Sequence, residues 1–325
     1  MRKEYLKGEN IETVYFGGGT PSQLEKEDFE LIFDTIREHY GLNHCQEITL
    51  EANPDDLSQE YLEMLSSLPF NRLSMGIQTF DDATLKLLRR RHNARTAIEA
   101  IDRCRKADFQ NISIDLIYGL PGETKERWEN DLRQAISLNV EHISAYHLIY
   151  EEDTPIYNML KQHQISEVDE DSSLEFFTLL IEHLQKAGFE HYEISNFARP
   201  GFESRHNRIY WDCGDYLGLG PAAHSCMGGK RFATPAGTAA FLAAPAVYEP
   251  QGECTAEDYI MLQLRLSRGL SLSALRARYG VSFSSEKLRF LQTLAEHGLA
   301  VFDGSVLRLT PRGMLVQNSI LCELV

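Results

Sequence analysis

The chain has 325 residues, of which 43% are hydrophobic and 25% charged, a composition typical of a folded globular protein. Its 48 acidic and 32 basic residues give a formal net charge of −16 at pH 7, which disfavours general nucleic-acid binding because that binding neutralises phosphates with basic side chains. No apolar run is long enough for a membrane span, no signal-peptide pattern is present, and the six cysteines are scattered, so we expect a cytoplasmic protein with reduced thiols.

The first informative motif is VYFGGGTP at residues 14–21, where a β-branched and aromatic run ends in three glycines and a proline. Glycine has no Cβ, so consecutive glycines let several N–H groups face a ligand and allow positive φ angles. On its own, the run fits an ordinary tight turn between a strand and a helix better than it fits a ligand site.

The same order of apolar strand, polar signature and helix recurs through the first half of the chain. Further strands are predicted at residues 48–50, 72–76, 112–118 and 142–147. Amphipathic helices are predicted at residues 26–39, 59–68, 82–90, 94–107 and 127–138. Strands that alternate with helices at this spacing predict βα units and a parallel sheet, and therefore an α/β fold.

Polar or glycine-containing residues follow each predicted strand. The carboxyl ends of parallel strands meet at one face of a barrel or an open sheet, where ligands bind. We therefore expect one pocket formed by residues 17–20, Glu51, Gln78, Asp115 and the stretch after His147.

Taken in order, these motifs are similar to those of the radical S-adenosylmethionine (SAM) superfamily, and within it to the family of oxygen-independent coproporphyrinogen oxidases and heme chaperones. The resemblance extends from residue 14 to the C-terminal segment. It implies a partial (β/α) barrel whose strand ends hold SAM beside a [4Fe-4S] cluster. By position it implies cofactor contacts from Gly18, Gly19, Thr20, Glu51, Gln78, Arg90, Asp115 and Ile149.

The chemistry of these side chains suits that cofactor. Carboxylates can accept hydrogen bonds from ribose hydroxyls and an α-ammonium group, and a guanidinium such as that of Arg90 can pair with the methionine carboxylate. The run of three arginines at residues 89–91 has a second interpretation, as the basic end of a helix that complements the helix dipole.

The resemblance also implies three cluster cysteines, spaced C-x3-C-x2-C, upstream of the glycine motif. None of the cysteines here lies within three positions of another; they are Cys45, Cys104, Cys213, Cys226, Cys254 and Cys322. Cluster ligation needs several thiolates that converge. We therefore predict that this chain binds no cluster and contains no catalytic residue. We interpret the sequence as a shortened gene model that lacks the first βα unit. Residues 2–10 would then be the tail of the missing helix.

Past the barrel, residues 154–171 read as a polar connection, residues 172–187 as a helix and residues 189–194 as a strand. The sequence HNRIYW follows at residues 206–211, and its HNxxYW pattern resembles a signature of the heme-chaperone branch. This run and the glycine-rich residues 215–225 do not fit a plain amphipathic helix. The glycines suggest backbone packed against a flat ligand or another strand.

A histidine in this region could bind heme iron. His206 is the first candidate, with Tyr210 and Trp211 covering a porphyrin face, and His224 is its rival. In the alternative interpretation His206 forms a hydrogen bond within a sheet and the aromatic residues belong to a core. His147 and His191 are further possible ligands, although no motif supports them.

The C-terminal segment is predicted to be winged-helix-like. Helices at residues 256–267, 271–279 and 284–297 precede a hairpin whose turn contains Asp303 and Gly304. Such folds often bind DNA. Residues 255–325, however, contain eight basic and six acidic residues, so a packing or substrate-covering role is favoured.

These observations divide the chain into a partial barrel at residues 1–165, an extension at residues 166–254 and a winged-helix-like domain at residues 255–325. The leading hypothesis is a heme-binding chaperone that delivers heme to an acceptor protein, for example a respiratory one. The alternative is an oxygen-independent coproporphyrinogen III oxidase, which decarboxylates propionate side chains by SAM-derived radical chemistry. A third possibility is a binding or regulatory protein that keeps the barrel as a scaffold.

Overall fold

The computed structural model describes residues 5–6, 10–244 and 247–325. These residues form two compact units, one of residues 11–203 and the other of residues 204–325 with the described part of the first ten residues. The segment boundaries at residues 165 and 254 stay predictions, since contacts within a unit do not show which segments fold alone. The expected helix tail at residues 2–10 lies largely outside the described residues.

A half-barrel sheet of seven strands forms the framework of residues 11–203, all of which the structure describes. The strands are β1 (Thr13–Phe16), β2 (Glu47–Ala52), β3 (Arg72–Gln78), β4 (Ile112–Tyr118), β5 (His142–His147), β6 (Glu190–Glu193) and β7 (Asn196–Ala198). Their order in the sheet is β1-β2-β3-β4-β5-β7-β6. The first five are parallel, and β7 is antiparallel to both β5 and β6. The parallel sheet predicted from the strand and helix alternation is confirmed.

Seven α-helices accompany this sheet within the same described range: α1 (Lys26–His39), α2 (Gln59–Ser66), α3 (Asp82–Leu87), α4 (Ala94–Lys106), α5 (Lys125–Ser137), α6 (Pro155–Lys161) and α7 (Glu170–Lys186). Most begin at a polar residue whose side chain accepts a bond from the first turn. Asn93, for example, accepts from the Thr96 N–H at the start of α4. The predicted helix at residues 26–39 is confirmed with its predicted bounds.

One face of the sheet is apolar and is covered by helices. Phe16 of β1 contacts Phe29 and Phe33 of α1, with ring centroids 5.6 and 5.4 Å apart. Phe70 contacts all three of these rings and completes one aromatic cluster. Tyr118 of β4 lies 5.5 Å from the ring of the buried tryptophan on α5. This packing fixes α1 and α5 on the outer face of the sheet.

The opposite face is polar although much of it is buried. Register partners on parallel strands point to the same side, so Thr49 and Arg72 share this face, and so do Ser113 and His142. His142 is fully buried, with Nδ1 2.8 Å from the Ser113 hydroxyl. Burial, with Arg72 nearby, holds the pKa of His142 well below its ordinary value, so the ring is neutral.

Two predictions for this unit are wrong. The predicted polar connection at residues 154–171 contains α6, which begins at Pro155, where the Thr154 hydroxyl accepts from the Tyr157 N–H. A proline at the first helical position and a threonine cap are strong start signals that the polar composition concealed. The helix predicted at residues 82–90 ends at Leu87, and Arg89 has a φ of 55°, which breaks the helix before Arg90.

The second unit contains two small sheets and seven α-helices in its described residues. Its strands are β8 (His224–Met227), β9 (Lys230–Ala233), β10 (Glu249–Glu253), β11 (Leu270–Ser271), β12 (Ala300–Phe302) and β13 (Val306–Leu309). Its helices are α8 (Arg205–Trp211), α9 (Thr238–Ala243), α10 (Ala256–Leu264), α11 (Leu272–Tyr279), α12 (Ser285–Glu296), α13 (Pro311–Leu315) and α14 (Gln317–Leu324). The sheet orders are β10-β9-β8 and β11-β13-β12, with antiparallel neighbours throughout.

The HNRIYW sequence forms a helix, α8, contrary to the expectation that this run is not helical. Ser204 caps it by accepting from the Asn207 N–H. Seven residues make two turns, too few for an apolar stripe to be recognised from the sequence. The expectation of close backbone packing is confirmed for Gly218, where a Cβ would lie 2.2 Å from the main-chain oxygen of His224 in the neighbouring strand, but not for Gly220, where a Cβ would have no described atom within 4 Å.

The C-terminal elements follow the order helix, strand, helix, helix, strand, strand, from α10 to β13, which is the order of a winged helix. The predicted hairpin joins β12 and β13, and the Asp303 carboxylate accepts from the N–H groups of Ser305 and Val306 in its turn. Two further short helices, α13 and α14, follow the hairpin and have no counterpart among the elements predicted from the sequence.

Candidate cofactor site

The glycine loop after β1 is held by Glu51, which lies near the end of β2. The Tyr15 hydroxyl donates to Glu51 Oε1 at 2.6 Å, and the Gly18 N–H donates to Oε2 at 3.3 Å. Burial and the neighbouring carboxylate raise the pKa of Tyr15, so the phenol keeps its proton and acts as the donor. Glu51 therefore fixes the loop through both of its oxygens.

The three glycines of the loop differ in backbone conformation and in the space available to a side chain. A Cβ on Gly17 would lie 2.6 Å from Tyr15 Cε1 and 2.8 Å from Glu51 Cδ. Gly18 has a φ of 82°, the left-handed region that favours glycine. A Cβ on Gly19 would have no described atom within 4 Å. An ordinary tight turn accounts for Gly18, whereas the open backbone at Gly19 leaves room for a ligand.

The end of β3 brings Gln78 and Arg90 together over Gly76. The register between β3 and β4 shifts between Gly76 and Gln78, and Gln78 has a φ of 73°. A Cβ on Gly76 would lie 2.9 Å from Gln78 Nε2 and 3.2 Å from Arg90 Nη2. Only a glycine leaves space for both side chains at this position.

Arg90 points towards the strand ends. Its Nη2 donates to Asn53 Oδ1 at 2.9 Å and to the Gly76 carbonyl at 3.1 Å. The neighbouring Arg91 forms ion pairs with Asp55 and Asp56. The interpretation of Arg90 as the basic end of a helix is therefore wrong, because α3 ends at residue 87 and the guanidinium is bound to strand-end groups.

Asp115 lies on the same face of the sheet as Glu51. Glu51 is the register partner of Ser74, Ser74 is the partner of Ser113, and Asp115 follows two residues later on β4.

The two carboxylates also share one electrostatic environment. Burial is the largest cause that raises the pKa of Asp115 to about 6, and Glu51 raises it further. A hydrogen bond from Ser144 and the charges of Arg72 and Arg90 oppose the shift. Asp115 therefore responds to charges on β2, on β3 and in the segment that follows α3.

Six of the expected residues are linked by these contacts, charges and registers: Gly18, Glu51, Gln78, Arg90, Asp115 and, through the loop backbone, Gly19. Thr20 and Ile149 are placed at the margins. The Thr20 carbonyl accepts from the Gln23 N–H in a short 3₁₀ turn, and Ile149 is 74% exposed beyond the end of β5. The cofactor contacts of all eight residues stay predictions.

Three residues of this region were missed by sequence reasoning. Tyr15 and Asn53 bind Glu51 and Arg90 directly, and Arg72 places a buried positive charge on the polar face. Arg72 Nε and the hydroxyl of residue 49, on neighbouring strands, have no hydrogen-bond partner among the described residues. A buried arginine inside an otherwise apolar strand, as in the sequence RLSMGI, is the signal that could have indicated a polar face.

The heme-ligand candidates lie in the second unit. His206 is partly buried on α8, with Nε2 2.6 Å from the Tyr210 hydroxyl, so its hydrogen bond lies within a helix and not within a sheet. The ring of Trp211 is covered by the Arg265 guanidinium at 4.8 Å. His224 is exposed on β8, where its imidazole faces solvent.

Neither a metal-ligating group nor a membrane-spanning helix occurs among the described residues. No three or more histidine, cysteine or acidic side chains in the described ranges are placed so that they could hold a metal ion. Within the same residues, no helix is both long and apolar enough to cross a membrane.

Comparison with known families defines the class of protein. Residues 2–135 match the model of the radical SAM superfamily, and residues 255–316 match that of the HemN C-terminal domain. The chain is thus a radical SAM protein with a HemN-type C-terminal domain.

Curated relatives define the family more closely. Heme chaperone HemW of Bacillus subtilis (strain 168) is 35% identical over 320 residues, which cover 96% of this chain and 84% of that protein. HemW of Lactococcus lactis is 34% identical, with the same coverage, and radical S-adenosyl methionine domain-containing protein 1 of Bos taurus is 31% identical over 97% of this chain and 76% of its own length. The chain belongs to the HemW family.

A solved structure shares the fold. The coproporphyrinogen III oxidase HemN of Escherichia coli, described as a radical SAM enzyme, superposes with a TM-score of 0.79 at 23% identity, over 97% of this chain and 78% of that one. The predicted α/β class and partial barrel are confirmed by this likeness, and the family resemblance inferred from the motifs is confirmed by the HemW relatives.

Proposed function

We propose that this protein is a cytoplasmic heme-binding chaperone that binds SAM at the strand ends of its partial barrel and passes heme to an acceptor protein. The similarity to proteins named heme chaperone HemW over 96% of the chain carries the proposal. The HNxxYW sequence on α8 supplies a histidine with the chemistry of a heme ligand. The likeness to HemN supports the fold alone, so coproporphyrinogen oxidation is not the function proposed.

The strand-end residues fit SAM in chemistry. The open backbone at Gly19 can approach the methionine end, and Arg90 can bind its carboxylate. Glu51 and Asp115 can accept from the α-ammonium and the ribose hydroxyls, and Ile149 offers an apolar contact. When bound, SAM supplies charged groups that complement those gathered on this face.

The described residues do not fit a [4Fe-4S] cluster. No three thiols with metal-ligating geometry meet among them, and cluster ligation needs such a group. The proposed function therefore contains no radical step, and SAM takes part in it as a bound ligand.

His206 can serve as the heme ligand if it gives up one hydrogen bond. Iron ligation through Nε2 would replace the bond that this nitrogen makes with the Tyr210 hydroxyl. Tyr210 lies one turn further along α8, on the same side, and its ring lies 4.6 Å from that of Tyr216, so the hydroxyl would have to give up its bond to the imidazole when iron binds. Trp211 is held against Arg265, which favours packing over porphyrin stacking for that ring.

The test is a hemin titration followed by the Soret band. We expect saturable binding near one heme per chain, and His206→Ala should shift the band and weaken binding at least tenfold because the iron loses its ligand. Tyr210→Phe should retain binding, since it removes the hydroxyl that is hydrogen-bonded to Nε2, and His224→Ala should leave the spectrum unchanged.

Stability must be measured on the same variants. Truncation of a partly buried histidine costs about 1–3 kcal/mol through partners left unsatisfied, so melting temperatures separate unfolding from loss of a ligand. A folded His206→Ala protein with unaltered Soret band and affinity would show that His206 is not the ligand. Absence of saturable hemin binding by the wild type would overturn the proposed function itself.

A further inference from the structure

Two cysteines that are distant in sequence lie side by side in the second unit. The Sγ atoms of Cys226 and Cys254 are 3.3 Å apart. Cys226 is on β8 and is 1% exposed, whereas Cys254 directly follows β10 and is only partly buried. The Cys254 N–H donates to the Gly229 carbonyl in the turn between β8 and β9, at 2.7 Å, which fixes its position against the sheet.

The arrangement suits a disulfide better than a metal. A disulfide has an S–S distance of about 2.05 Å, so the two sulfurs need to approach by only about 1.2 Å. A third thiol, that of Cys213, is close enough to influence the pKa of both Cys226 and Tyr279, and it forms a hydrogen bond with Tyr279. Even so, no group of three metal ligands forms among the described residues.

We propose that Cys226 and Cys254 form a thiol–disulfide exchange site that reacts with low-molecular-weight disulfides of the glutathione type. The Cys254 thiolate attacks one sulfur of the disulfide, forms a mixed disulfide and releases one glutathione thiolate. Cys226 then attacks the Cys254 sulfur and releases the second. Two protons leave the cysteines and are taken up by the two released thiolates, so two cysteine thiols are oxidised and one disulfide is reduced to two thiols.

The order of attack follows from exposure. Cys254 can be reached from solvent, whereas Cys226 is buried on β8. Burial, together with the neighbouring Cys254 thiol, raises the pKa of Cys226 to about 12, which leaves it almost wholly protonated at pH 7. The second step, in which Cys226 attacks, should therefore be the slower one and should accelerate as the pH rises.

The bond would have a measurable structural effect. It would close a loop of 27 residues between the two cysteines and would join β8 to the start of α10. Cross-links of this length restrict the unfolded chain, so the oxidised protein should melt several degrees higher than the reduced one.

The experiment treats the full-length protein with oxidised glutathione and maps the products by mass spectrometry after trypsin digestion. Trypsin releases residues 209–230, which contain Cys213 and Cys226, and residues 232–265, which contain Cys254. We expect these two peptides to be linked, with the loss of two of the six thiols and reversal by dithiothreitol. Cys213→Ser should keep the link, which assigns it to Cys226, and Cys322→Ser is the matched control at an exposed cysteine.

The variants also test the order of the steps. In the Cys226→Ser variant, the reaction should stop at the mixed disulfide between Cys254 and glutathione. In the Cys254→Ser variant, Cys226 should remain a free thiol. The proposal is overturned if wild-type protein forms no link while Cys322 becomes glutathionylated, or if the link joins Cys213 to Cys254. Modification of Cys226 in the Cys254→Ser protein would equally contradict it.

Discussion

Gly17 is the residue of the glycine loop that tolerates a side chain least. An added Cβ would lie under 3 Å from both Tyr15 and Glu51, the pair that holds the loop. We expect Gly17→Ala to cost about 1–3 kcal/mol of the free energy of unfolding, because it displaces a partly buried hydrogen-bonded pair, and to weaken SAM binding more than tenfold.

Gly19→Ala is the matched control, since its new Cβ would meet open space and its φ is not positive. Its free energy of unfolding should change by less than about 0.5 kcal/mol, while SAM binding should still weaken if the ligand contacts this backbone. Chemical denaturation and calorimetric titration measure the two effects. Equal stability of the Gly17→Ala and wild-type proteins would contradict the crowding argument.

The stability of the protein should depend on pH through Asp115, and burial of this carboxyl group determines the sign of that dependence. Its pKa is raised to about 6, so the folded state binds a proton more readily than the unfolded state, where an aspartate titrates near 3.9. The stability contributed by this proton is present at pH 4, declines as the pH rises through 6, and is lost above it. The free energy of unfolding should therefore fall by about 3 kcal/mol between the low-pH and high-pH limits of this titration.

Asp115→Asn should therefore stabilise the protein at pH 7 and have little effect at pH 4. The comparison is made by denaturant unfolding of the variant and the wild type at pH 4, 5, 6 and 7. A stability difference that is constant over this range would contradict the assigned pKa. The same variant should bind SAM more weakly at pH 7, because an amide cannot replace the carboxylate charge.

Single residues also show what the sequence could predict. Glu51, Gln78, Arg90 and Asp115 are predicted at one strand-end face, and their contacts and registers bring them there. Tyr15 and Asn53 carry no such signal, because an interior strand tyrosine and a turn asparagine have common structural roles and only the folded chain shows that they contact Glu51 and Arg90.

Among the elements, α8 depends strongly on its cap. A helix of seven residues has few internal hydrogen bonds, so the bond from the Asn207 N–H to Ser204 matters more than it would in a long helix. Ser204→Ala should cost about 1 kcal/mol and should lower hemin affinity several-fold, because α8 carries His206.

Ser284→Ala is the control for this prediction. Ser284 caps the 12-residue α12 through the Lys287 N–H, in the same unit but on a different helix. The Ser284→Ala variant should lose about as much stability as Ser204→Ala and should bind hemin as the wild type does. If both variants impaired hemin binding equally, the effect would be one of general stability and not of α8.

At the level of elements, the sequence predicts long, periodic segments better than short ones. The strands at residues 112–118 and 142–147 match their predicted bounds because β-branched residues and flanking turns mark both ends. Helices α6 and α8 escape prediction, since seven residues cannot establish a helical period. Cys226 and Cys254 meet only through the pairing of β8 and β10 with β9, which no spacing in the sequence reveals.

For the whole molecule, the proposed SAM and heme ligands lie in different compact units. Glu51, Arg90 and Asp115 belong to residues 11–203, and His206 belongs to residues 204–325. Hydrogen exchange should therefore show SAM protecting the loop after β1 and the residues around Arg90, and hemin protecting α8. Protection of the same peptides by both ligands would contradict the assignment of the two ligands to different units.

The polar face of the half-barrel sheet has a consequence for solvent. Arg72 Nε, Thr49 Oγ1 and Asn196 Oδ1 are buried on this face without partners among the described residues, and an unsatisfied buried polar atom costs about 1–3 kcal/mol. Ordered water is the usual partner of such atoms, so we expect water molecules on the concave side of the sheet. A ligand that enters at the strand ends should release some of them to bulk, and the entropy of that release should contribute to its affinity.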